Sequence, residues 1–96
     1  MTTDIYAETI GLPIYGERVN LNNVNEGEII TYPAGKKQKY SVVEEIKLKT
    51  IKVTNLTLEV TNERVNFYKN SEIYPSTSNY LGVGRKIFKV TNANKL

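Results

Sequence analysis

The chain contains neither histidine nor cysteine, and that bounds its chemistry first. Histidine is the ordinary general base near neutral pH and the commonest metal ligand. Without it, Ser-His and Cys-His nucleophilic arrangements cannot be built. Without thiols there are no disulfides and no thiolate metal sites, and a zinc site would need carboxylates alone. Carboxylate pairs are what remains. Glu44 and Glu45 are adjacent, so in a strand they point to opposite faces. Glu26 and Glu28 could share a face, but Gly27 and the Asn-rich stretch before it read as a turn. A glycosidase-type pair needs two carboxyls flanking a cleft, and so small a β domain has little wall to form one. The expectation is no catalytic residue, no metal and no cofactor.

Binding chemistry has more to work with. Lys36, Lys37 and Lys39 cluster on one loop, and Lys47, Lys49 and Lys52 line a later segment. Gly82-Val83-Gly84-Arg85-Lys86 could turn backbone N–H groups toward an anion, although it lacks the spacing of a phosphate loop and of a dinucleotide fingerprint. Lys36, Lys37, Lys39, Arg85 and Lys86 are therefore the candidate anion or nucleic-acid surface. Tyr32, Tyr40, Phe67, Tyr68 and Tyr80 would serve as stacking platforms, as in single-strand-binding barrels. The plainer reading is that tyrosines fill a small β core and lysines guard exposed edges. Net charge is only +3, with ten acidic residues interspersed, whereas dedicated nucleic-acid binders gather their cations on one face. Asn55-Leu56-Thr57 matches an N-glycosylation acceptor, a chance match in a chain rich in Asn and Thr.

A second candidate surface is apolar. Residues 1–16 carry Ile5, Tyr6, Ile10, Leu12, Ile14 and Tyr15 without clean helical or strand periodicity. Pro13 argues against a central strand there. The segment reads as an extended N-terminal arm that buries these six side chains against a partner subunit. The alternative is an arm folded back over its own open sheet end.

The elements that must position these residues are strands. Ninety-six residues, 40% hydrophobic and 24% charged, make one globular domain, placed here at residues 17–96. Ile46, Leu48 and Thr50 alternate with lysines, and the phase then slips by one at Ile51, suggesting a β-bulge. Thr54-Asn55 reads as a turn, and Leu56, Leu58 and Val60 resume the alternation. Further strands are expected around Val19–Leu21, Glu28–Tyr32, Val65–Phe67, Ile73-Tyr74, Tyr80–Val83 and Lys86–Val90. A helix competes over residues 41–53, where Ser41 and Glu44 fit a capping box, but the β-branched residues there favour strand. Roughly six to eight short strands point to an all-β antiparallel sandwich or barrel. No basic, apolar leader opens the chain, and no run approaches the roughly 20 apolar residues that span a bilayer. A soluble protein without membrane or small-molecule substrate is expected.

Ile30-Thr31-Tyr32-Pro33-Ala34-Gly35-Lys36-Lys37, followed by Ile51-Lys52-Val53-Thr54-Asn55 and Val65-Asn66-Phe67-Tyr68, resembles a pattern of small β-sandwich proteins in tailed-phage virions. The resemblance covers residues 28–70 and departs from the pattern in the extra residues 41–50. It implies a structural part of a virion, of the head-decoration, head-fibre or tail-accessory type. Its partners would be copies of itself or a major structural protein. Location would be the virion, or the cytoplasm if the chain is not viral. A nucleic-acid-binding β-barrel is the alternative.

Overall fold

A computed structural model describes residues 5–69 and 76–95; the short strand expected at Ile73-Tyr74 lies outside them. The described residues form ten strands and no helix: β1 (Ile5–Thr9), β2 (Tyr15–Val19), β3 (Ile29–Ala34), β4 (Lys37–Ile46), β5 (Thr50–Asn55), β6 (Thr57–Thr61), β7 (Arg64–Tyr68), β8 (Ser78–Gly82), β9 (Ile87–Val90) and β10 (Ala93–Lys95). They make two antiparallel sheets, one ordered β10-β1-β7-β6 and the other β2-β9-β3-β4-β5-β8. The chain is an all-β sandwich.

Ile29-Ile30 and Val42-Val43 explain how the layers meet. Neighbouring residues of a strand face opposite ways, yet all four are buried. Ile30 and Val43 join Val19, Ile51, Val53, Leu81 and Ile87 in one core cluster. Ile29 and Val42 join Ala7, Val65, Phe67 and Val90 in a second. The middle of the six-stranded sheet is thus covered on both faces, which is why it reads as apolar pairs rather than strict alternation. One face packs on the four-stranded sheet. The other closes on itself: Val19 of β2 and Leu81 of β8, from the two outermost strands, share the first cluster. The sheet is therefore curled, and Leu21 and Val24 from the loop after β2 plug it.

Two sequence expectations change. The phase slip at residues 46–51 is a tight hairpin rather than a bulge within one strand. Lys47 N–H donates to Thr50 O at 2.8 Å, Ile46 pairs with Ile51, and the bulge lies earlier, between Val43 and Glu45. Residues 41–53 are strand on both sides of that hairpin, as the β-branched residues require. Thr54-Asn55 ends β5, and Leu56 carries the chain across from one sheet to the other. Thr61-Asn62-Glu63 is a reversal, with Asn62 and Glu63 at φ 51° and 62° between the paired Thr61 and Arg64, the geometry of a type I′ hairpin.

The largest correction concerns the N-terminus. Ile5–Thr9 is an inner strand, flanked by β10 and β7, and Tyr15–Val19 pairs with β9. Residues 5–16 are therefore built into both sheets and are not an arm beside a domain that starts at residue 17. The inward side chains of β1 are Ala7 and Thr9, both fully buried. A small residue and a polar one make no apolar stripe, so the alternation that announces a strand is absent. Thr9 Oγ1 instead accepts a hydrogen bond from Val65 N–H at 2.8 Å.

Candidate functional site: an ordered apolar loop

The six N-terminal side chains divide into two groups. Ile5 and Tyr6 are half-buried in β1, and Tyr6 packs on the second core cluster. Ile10, Leu12, Ile14 and Tyr15 stay together in the loop from β1 into β2, 53–67% exposed. All four are exposed, within six consecutive residues that end at the first residue of β2.

The loop's backbone is held tightly. Asn92, in the β9–β10 turn, donates from Nδ2 to Ile10 O and Leu12 O at 2.7 Å each. Its Oδ1 accepts Ile14 N–H at 2.8 Å. Ile10 N–H donates to Asn92 O and Thr91 N–H to Ile14 O, both at 3.0 Å. Gly11 adopts φ 83°, a left-handed conformation that larger residues resist, and its carbonyl accepts from the Thr9 hydroxyl. At Gly16 a Cβ would stand 2.4 Å from Thr91 Cγ2, so only glycine lets β2 approach β9 there. One asparagine side chain thus satisfies three backbone groups of a segment whose own side chains point to water.

Tyr15 fastens the loop to the core. Its hydroxyl meets the Tyr40 hydroxyl at 2.5 Å, and the rings stand 6.2 Å apart. Tyr40 in turn packs on Phe67 at 5.7 Å. Burial first, and then the hydrogen bond with Tyr15, push the Tyr40 phenol well above its usual range, so Tyr40 stays neutral. A second tie joins the two sheets. Lys69 Nζ lies 2.5 Å from Glu44 Oε1 and 5.3 Å from the Tyr6 ring centroid. Burial acts to raise Glu44, but hydrogen bonds from Lys69 and Thr54 and the charges of Lys69 and Lys52 outweigh it and hold the carboxyl below its usual range. Burial also raises the Tyr6 phenol, against the pull of Lys69. The sequence reading missed Asn92 and Lys69, and took Tyr40 for a stacking platform. Only the turn composition of Thr91-Asn92 offered a signal.

The cationic candidates also converge. Ala34 pairs with Lys37 across a Gly35-Lys36 turn. Arg85 reaches that turn: its guanidinium sits 5.5 Å from the Tyr32 ring centroid and donates to Pro33 O at 3.4 Å. Lys36, Lys37, Lys39, Arg85 and Lys86 therefore come from two neighbouring turns and the strand beside them, and Lys39 and Arg85 line a shared hollow of about 280 Å³. The aromatic partners do not follow. Tyr32, Phe67 and Tyr68 are buried; only Tyr80, 58% exposed, offers an open ring, and Lys47 covers it at 5.3 Å. The Asn55 amide is spoken for as well. Its Oδ1 accepts from the Tyr32 and Ser41 hydroxyls at 3.1 and 3.0 Å, and its Nδ2 donates to Thr77 Oγ1 at 2.9 Å.

Among the described residues no three acidic side chains converge as a metal site would need, and no helix is long and apolar enough to cross a membrane. No protein-family model, curated protein sequence or solved structure matches the chain.

Proposed function

We propose that this chain is a non-enzymatic assembly module, a structural component of a particle built from many subunits. Its role is protein–protein contact, with copies of itself or with a major structural protein. The observation that carries the reading is the loop from Ile10 to Tyr15. Large aliphatic side chains on a mobile tip are tolerated waste; here the backbone is fixed by Asn92 while the side chains stand in water. A preorganised apolar tip loses little entropy when a partner covers it, which is the economy an assembly contact needs. The resemblance over residues 28–70 narrows the particle to a tailed-phage virion and the role to capsid decoration or tail accessory.

In cells that encode it, the chain should co-sediment with assembled particles. A Leu12→Asp, Ile14→Asp double variant should remain folded, since both positions are more than half exposed, yet stay in the soluble fraction. A wild-type chain found only among free proteins, or a variant that sediments normally, overturns the proposal.

The second reading, a nucleic-acid-binding β-barrel, draws on the cationic corner at Lys36, Lys37, Lys39, Arg85 and Lys86. Against it stands the burial of the rings that would stack on bases. Binding through that corner would make log affinity for a single-stranded oligonucleotide fall linearly with log salt. We expect no specific binding at physiological salt. Submicromolar binding that weakens in a Lys36→Ala, Lys37→Ala variant would reverse the order of the two readings.

A further inference from the structure

We propose that the cationic corner at the start of β4 docks an acidic segment of a partner protein. Its carboxylates would meet Lys39 and Arg85, and its aliphatic side chains Leu56 and Leu58. The inference rests on the assembly reading above, from which it takes the partner to be a protein, and it names that partner's chemistry. Lys37 stands opposite Ala34 and Lys39 opposite Tyr32, and residues directly opposite on paired strands share a face. Tyr32 belongs to the core cluster inside the curled sheet, and Ala34 packs against that cluster. The two lysines therefore occupy the inner face of the curl, at an end where both are exposed. Arg85 reaches the same spot. Its guanidinium lies 5.5 Å from the Tyr32 ring centroid and donates to Pro33 O at 3.4 Å. That placement orders the group before any partner arrives, and its other N–H groups can meet a carboxylate in a bidentate pair.

No carboxylate of the chain answers these charges. The hollow of about 280 Å³ that Lys39 and Arg85 line is otherwise bordered by neutral residues, Asn79 and Tyr80 among them. Lys39 also borders a second hollow, about 590 Å³, together with Lys37, Leu56 and Leu58, and no acidic residue lines that one either. Among the described residues Lys36, Lys37, Lys39, Arg85 and Lys86 make no ion pair. They are five of the chain's 13 lysines and arginines, so the other eight face all ten of its acidic residues. The positive excess of the molecule thus sits at this corner, and an anionic surface is what complements it. Two features favour protein carboxylates over nucleic-acid phosphates. The rings of Tyr32, Phe67 and Tyr68, which would stack on bases, are buried. Leu56 and Leu58 place aliphatic surface beside the lysines, which suits a polypeptide that carries both kinds of side chain. Lysines that only guard a strand edge need neither an arginine held in place nor a hollow beside them.

Fluorescence anisotropy at physiological salt tests this with three labelled probes of equal charge. These are a peptide alternating glutamate with leucine, an oligoglutamate and a single-stranded oligonucleotide, with inorganic phosphate as a competitor. The glutamate–leucine peptide should bind most tightly, and phosphate should not displace it. Lys39→Glu with Arg85→Glu should weaken that binding about tenfold or more. Lys36→Glu with Lys37→Glu, in an exposed turn, should weaken it too without touching Arg85. Arg18→Glu with Lys49→Glu, the same charge change at exposed positions outside both hollows, should change it far less. An oligonucleotide or phosphate that binds more tightly than the peptide overturns the proposal, as does peptide binding that the corner variants leave unchanged. Absence of peptide binding overturns it as well. Wild-type chain that still co-sediments with particles in that case keeps the assembly reading and leaves this corner without a part in it.

Discussion

Glu44 illustrates how much one side chain does in a domain with so little interior. It faces Lys69, Thr54 and Lys52 at once, and its carboxyl is held below its ordinary value of 4.5 despite burial. A group whose folded pKa is depressed contributes stability that is fully present above its unfolded pKa. That contribution is lost as pH falls through the folded value. Thermal unfolding of wild type should therefore weaken from about pH 4.5 downward, and Glu44→Gln should flatten that part of the profile. At neutral pH the variant should lose about 1 kcal/mol or less, because Glu44 and Lys69 retain 30% and 26% side-chain exposure and water screens such pairs. Identical acid profiles for the two proteins would show that Glu44 is not the group responsible. Asn92 belongs at this scale as well. Nothing in its sequence neighbourhood distinguishes it from the other Thr-Asn pairs of the chain, because its partners lie about eighty positions earlier.

At the scale of elements, most strands were legible and the most consequential one was not. β3, β5, β6, β7 and β9 announce themselves by β-branched residues and alternation. The type I′ hairpin at Asn62-Glu63 and the turn at Gly35-Lys36 fall where turn chemistry puts them. β1 fails the same test because its buried face is Ala7 and Thr9, and its placement depends on strands far along the chain. The exposed half of the N-terminal candidates, Ile10 to Tyr15, was recognisable as apolar without periodicity. That the segment is fixed rather than loose follows from Asn92 and was invisible. β1 supplies a direct test. Thr9→Val keeps the shape of the side chain but removes the acceptor of the buried Val65 N–H, which should cost about 1–3 kcal/mol in urea unfolding. Deleting residues 1–9 should abolish the fold, seen as loss of the β signal in circular dichroism. A folded, stable truncated chain would return β1 to the status of an arm.

The whole molecule has two core clusters and no boundary between them. Ile29 with Val42 serves one, Ile30 with Val43 the other, and the four residues sit side by side on β3 and β4. Neither cluster can come apart without pulling the same two strands. Calorimetry should therefore show one transition, with van't Hoff and calorimetric enthalpies equal. Two resolved transitions would mean that the four-stranded sheet opens independently. The position of β1 also sets the order in which the fold can be completed. β1 leaves the ribosome before both strands that bound its slot, β7 at Arg64–Tyr68 and β10 at Ala93–Lys95. At about 5–20 residues per second, the first strand waits several seconds for its neighbours. During that time its Ile5 and Tyr6, and the aliphatic loop behind them, have no native contacts. A chain threaded in this way completes its four-stranded sheet only once β10 has emerged. Its burden on the cell falls in that interval, when whatever holds nascent apolar segments must hold this one.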